Sequence, residues 1–208
     1  MESVHDESGD PFERINERWP VVGDRLLADG MQASIYPDIG ERNYRLLRGY
    51  KFAGDVLVQR ALADRTEQNN LIFPALFSYR HYIELALKAT ILQHGPFAEV
   101  TLDKKNHNLK ELWGKFLQVA VKFHCSPTDE AAVAVGACIA EIGTIDGNAV
   151  AFRYATDKRG ALPALPGGLD LANLHDVMNG IENFFECADL DFQHKTDAVN
   201  ENMERDFC

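Results

Sequence analysis

The sequence predicts an all-α protein, an antiparallel helical bundle of about five to six helices with a long loop before the last helix. Apolar residues recur at helical spacing through most of the chain, and nothing alternates as the strands of a sheet must. Capping residues and Gly-Pro breakers then divide the helical stretches from one another.

Asp10-Pro11 is an N-cap followed by proline at the first helical position, and it opens a short helix that should stop before Pro20. Pro37-Asp38 opens the next. From Ile39 to about Asp64, Tyr44, Leu47, Phe52, Val56, Leu57 and Leu62 recur at roughly helical spacing, the pattern of a long amphipathic helix. The third helix covers about Leu71 to His94, with Pro74 in its first turn and Gly95-Pro96 as its stop. Asn108, with Glu111 three residues on, reads as the start of a helix to about His124. Ser126 to Glu130 starts a fifth helix, which runs to about Asp146. Residues 147–168, rich in Gly and Pro, form a loop with one short extended piece at Ala151 to Ala155. A last helix runs from about Asp170 to Ala188.

The chain is long enough for one domain with a sizeable core, expected over residues 11–188. Acidic arms flank it at 1–10 and 189–208. The formal charge of −11 sits mostly in those arms, which argues against broad coating of nucleic acid but leaves room for a local basic site. No apolar run is long enough to span a bilayer, and the acidic start is unlike a signal peptide, so a cytoplasmic protein is expected. Four cysteines show no C-x-x-C pair and no histidine at zinc-finger spacing; neither a metal nor any other cofactor is indicated. Phosphate loops, serine-hydrolase elbows and zinc-protease motifs are also missing.

The candidate chemistry lies in the third helix, where FPALFSYRHYIELALKATI sets four ionisable side chains inside an apolar run. At 100° per residue, Phe77, Arg80, His81, Glu84, Lys88 and Ile91 share an arc of about 100°. Apolar residues fill the other faces, so this stripe should be a partly buried network and not an exposed face. One reading of it is an internal ladder of i,i+4 ion pairs. Another makes Arg80, His81, Glu84 and His107 a catalytic group, with a carboxylate between two histidines raising the pKa of both. His107 should approach Glu84 or Lys88 more closely than Arg80, because the next helix should run antiparallel to the third. Lys88, Asn108, Asp146, Arg153 and Tyr154 are the candidate substrate-binding residues; a guanidinium beside an aromatic face suits phosphate and base. An internal Asp146–Arg153 bond that pins the loop is the alternative for that pair.

The helix YRHYIELALK, followed by HNLKELW and then by an acid and FRYATDKRG, resembles the HEPN type (higher eukaryotes and prokaryotes nucleotide-binding) over roughly residues 40–190. That resemblance implies a helical bundle that dimerises, RNA or a nucleotide as ligand, and a protein partner in a toxin–antitoxin or antiviral defence setting. It also implies a type associated with RNA cleavage; a metal-independent cleavage can be drawn on this chain's own residues, with His81 as general base oriented by Glu84 and Arg80 or Lys88 stabilising the developing phosphorane charge. The chain departs from the type's nuclease pattern, an Arg, four to six residues and then a His: Arg80 and His81 are adjacent. A non-catalytic module for dimerisation or protein interaction is therefore the alternative function.

Overall fold

The computed structural model describes residues 38–146, 149, 151–154, 156, 160 and 167–206, together with Val22. Except for Val22, these belong to one compact unit, Tyr36–Cys208. The acidic arm expected over 1–10 and the short helix expected from Pro11 lie outside the described residues. Among the described residues there are five α-helices: α1 Ile39–Ala63, α2 Gln68–His94, α3 Leu109–Lys122, α4 Glu130–Ile145 and α5 Leu171–Asp206, with a 3-10 turn at Gly95–Ala98. No strand occurs among the described residues.

Local chemistry sets most of the boundaries. Asp38 caps α1 by accepting the Glu41 N–H at 2.9 Å, and Asn108 caps α3 by accepting the Glu111 N–H at 3.2 Å. The start of α2 precedes the expected Leu71 by one turn, so Pro74 lies beyond the first turn; the Ser78 hydroxyl takes the Pro74 carbonyl at 2.8 Å. Gly95 ends α2, but the chain tightens into the 3-10 turn before it leaves. A Cβ on Gly95 would stand 2.5 Å from the Val100 carbonyl oxygen, which is why only glycine fits there. Ser126 to Thr128 form a turn and not the first turn of α4, which starts at Glu130. Residues 151–154 are also a turn, in place of the short extended piece expected there.

Contacts give the helix directions. Tyr79 of α2 donates to Asp55 of α1, and Tyr50 of α1 packs on His81 of α2, so these two helices are antiparallel. Arg48 bonds Glu186 while Lys51 bonds Asn179, which makes α1 and α5 antiparallel as well. The α2–α3 pair departs from expectation: His107, just before α3, meets Glu84, whereas Phe123 at its end meets His94. These two helices run in the same sense. The connection from Val100 to Asn108 first returns along α2, and Lys88 Nζ holds the Lys104 carbonyl at 3.1 Å on the way.

The last helix corrects the boundary expected at Ala188, because α5 continues to Asp206. Its extension is packed: Phe192 is 1% exposed and stacks on Phe123 at 4.9 Å between ring centroids. His94 bonds Asp189 at 2.9 Å from the same side. The core these helices enclose centres on Tyr82, Ile83, Leu87, Leu112, Phe116 and Ile139.

Candidate functional site

Three chain segments meet around Arg80. It is 1% exposed in the middle of α2, and burial of a guanidinium requires that its donors be matched. Nη1 donates to Glu84 Oε2 at 2.7 Å, Nη2 to the His107 carbonyl at 2.7 Å, and Nε to the Asp146 carbonyl at 3.1 Å. The Asp146 carboxylate stands 3.2 Å from the same Nε, and its Oδ1 accepts the Ala151 N–H at 2.9 Å. Arg80 therefore ties the middle of α2 to the start of α3 and the end of α4. With every group of its guanidinium engaged, it is not placed to stabilise a phosphorane, and its expected catalytic role is corrected to a positioning one.

Glu84, 2% exposed, is the hinge between the buried and the exposed parts of the site. Its Oε1 accepts from Lys88 Nζ at 2.8 Å and lies 2.8 Å from His107 Nδ1. Burial pushes the carboxyl up, but the hydrogen bonds from Lys88, Arg80 and His107 outweigh it and hold Glu84 below its ordinary value. An ionised carboxylate at that distance accepts a hydrogen bond from Nδ1–H, which selects for the neutral imidazole the tautomer with a bare Nε2. The His107 side chain is 55% exposed. The His107 side chain meets Glu84, but its carbonyl stands 2.7 Å from Arg80 Nη2, so the expectation that His107 lies closer to Glu84 than to Arg80 does not hold.

His81 is a different case. Its half-buried ring lies edge-on to Tyr50, with centroids 4.3 Å apart, and parallel to Phe77 at 5.7 Å. Glu84 accepts from Arg80, Lys88 and His107 and makes no hydrogen bond to His81, so no carboxylate bridges the two histidines. Burial lowers the His81 pKa, contrary to the expected rise, and the Glu84 charge does not offset it. The side chain is neutral at neutral pH.

The remaining candidates divide between structure and surface. The Asn108 side chain is engaged as the α3 cap, and Asp146 is buried against Arg80. Asp146 is thus answered by Arg80, and the expected bond to Arg153 is replaced by a bond from Arg153 Nε to the Ala149 carbonyl. Ala149 has φ 58, a left-handed conformation that turns the chain back toward Arg153. The exposed Arg153 guanidinium lies 5.9 Å from the Phe77 ring centre and 5.6 Å from that of Tyr154. A continuous series results: Tyr50, His81, Phe77, Arg153 and Tyr154.

Comparison with protein-family models, with curated proteins and with solved structures gave no match to this chain. Its function has to be argued from the side chains. Sequence reasoning missed Tyr50, although Tyr50, Gly54, Leu57, Val58 and Ala61 share the inward spacing of α1 that would have found it. It also missed the backbone carbonyls of His107 and Lys104, for which no residue pattern gives a signal. No helix among the described residues is long and apolar enough to cross a membrane.

Proposed function

We propose that this protein is a HEPN-like effector that acts on RNA or nucleotides, and that it cleaves RNA without a metal ion through His107. One observation carries the reading: a buried carboxylate, held ionised by three donors, orients an exposed imidazole. That is the arrangement of a general base whose orienting partner is fixed by the fold. His107 Nε2 takes the proton of a ribose 2′-hydroxyl, the 2′-oxygen attacks the adjacent phosphorus, and the bond from phosphorus to the 5′-oxygen breaks. A solvent proton completes the leaving hydroxyl. Lys88 is engaged by Glu84 and the Lys104 carbonyl, so Arg153 supplies positive charge for the phosphate, and Phe77 and Tyr154 supply flat surfaces for a base. The toxin–antitoxin or defence setting comes from the sequence resemblance alone. The test is incubation of the purified protein with end-labelled RNA in excess chelator. Products ending in 2′,3′-cyclic phosphate and 5′-hydroxyl are expected; strict dependence on an added divalent ion overturns the reading.

A second reading is favoured by a specific observation on α1. Phe52 is 68% exposed, with Val56 at 43% and Leu62 at 48% on the same helix. Such apolar exposure suits a non-catalytic module that dimerises or binds a protein partner, with the Arg80–Glu84 network serving only to join helices. Both readings are compatible with a homodimer. They part at His107, which the second leaves without a role.

A further inference from the structure

The surface beside His107 is locally positive in a chain whose formal charge is −11. Between Val100 and Lys115 stand four lysines, Lys104, Lys105, Lys110 and Lys115, against the two carboxylates of Asp103 and Glu111. Both acids are engaged within the loop: Asp103 Oδ1 accepts the Lys105 N–H at 2.9 Å, and Glu111 accepts the Asn106 side-chain amide at 2.9 Å. Behind the loop, Arg80 and Lys88 are paired with Glu84 and Asp146, so the buried part of the site adds no net charge to the rim.

This loop is held in one shape. Lys88 Nζ donates to the Lys104 carbonyl at 3.1 Å and Lys115 Nζ to the Thr101 carbonyl at 2.6 Å, while the Asn108 N–H donates to Asn106 Oδ1 at 2.8 Å. Lys104, Lys105 and Lys110 are left exposed on either side of His107 along the chain. Cations fixed beside a general base have a use when the substrate carries phosphates beyond the one that reacts.

We infer that Lys104, Lys105 and Lys110 form a phosphate track, and that the substrate is an unpaired RNA strand of several nucleotides and not a mononucleotide. The inference rests on the RNA-directed reading above and adds to it the length and path of the ligand. Single-stranded sites typically span about 4–16 nucleotides, so a fluorescent RNA of roughly twelve nucleotides is a suitable probe. Its affinity is measured by anisotropy over a series of salt concentrations. Each phosphate contact contributes about 0.7 to the slope of log affinity against log salt, so replacing all three lysines by glutamine lowers that slope by about 2. The triple Lys→Arg variant retains the slope, as does Lys122→Gln at the far end of α3. His107→Asn leaves binding in place while removing the proton acceptor. An unchanged slope in the Lys→Gln variant overturns the track but leaves the RNA reading standing. Failure of the unaltered protein to bind the probe at low salt overturns both.

Discussion

Glu84 collects donors from Arg80, Lys88 and His107, each within 2.8 Å, so its ionised form belongs to the folded state. Its folded pKa is depressed, and the stability it contributes is therefore present above the ordinary carboxylate value of about 4.3 and is lost as pH falls through the lower folded value. Glu84→Gln takes the charge from a carboxylate shared by Arg80 and Lys88 and leaves Asp146 as the carboxylate paired with Arg80; removing one partner of a buried pair costs about 3–5 kcal/mol. Denaturant titration should show that loss, together with a flatter acid limb below the ordinary carboxylate value of about 4.3. Unaltered stability would mean that the network is dispensable. His81 has the opposite chemistry with the same sign. Its folded pKa lies below the ordinary imidazole value of about 6.5, so the unfolded chain binds the proton first and stability falls on acidification from there. His81→Phe keeps a ring between Tyr50 and Phe77 and should abolish that loss near pH 6. A variant that retains the full pH dependence would place its source elsewhere.

Elements were legible where the deciding interactions are local. The Asn108–Glu111 cap and the Asp38 cap lie within three residues of their partners, and both stand where the sequence puts them. Partial burial of the Arg80–Lys88 stripe followed from the apolar residues around it. The same-sense course of α2 and α3 was not legible, because it depends on a connection that returns along α2 through bonds to the Lys104 and Thr101 carbonyls. The length of α5 was hidden by charge. Met178, Ile181, Phe185, Phe192 and Thr196 continue one buried stripe, but the acids between them suggested a solvated tail. Phe192 now provides the test, since truncation of a buried Phe to Ala costs about 3–5 kcal/mol and a disordered tail would show no cost. The close approach of α1 and α2 has its own signature. A Cβ on Gly54 would stand 2.4 Å from the Tyr79 ring, so Gly54→Ala should destabilise by about 1–3 kcal/mol despite its better helix propensity. Thermal or chemical melts of the two variants decide both points.

At the scale of the whole molecule, two polar bands among the described residues tie helices together. Lys51, Asp55, Glu182 and Asn179 join α1 to α5, and Arg80, Glu84, Asp146 and His107 join α2 to the segments before α3 and after α4. Only the second opens on an exposed imidazole and on lysines. Homodimerisation is expected through helical surfaces, and the exposed α1 residues make Phe52→Glu the natural probe; light scattering at micromolar concentration should report a dimer that this change dissociates. A monomer before substitution would remove that expectation without touching the chemistry of His107. The most direct measurement is the rate of RNA cleavage by His107→Asn, with its unfolding free energy determined on the same preparation. Asparagine keeps an N–H near the position of Nδ1 for Glu84 and removes the proton acceptor. Stability should stay within about 1 kcal/mol of the unaltered protein, while the rate falls by about 10²–10⁴-fold, the usual contribution of a general base. Undiminished cleavage by this variant, at unaltered stability, would contradict the account.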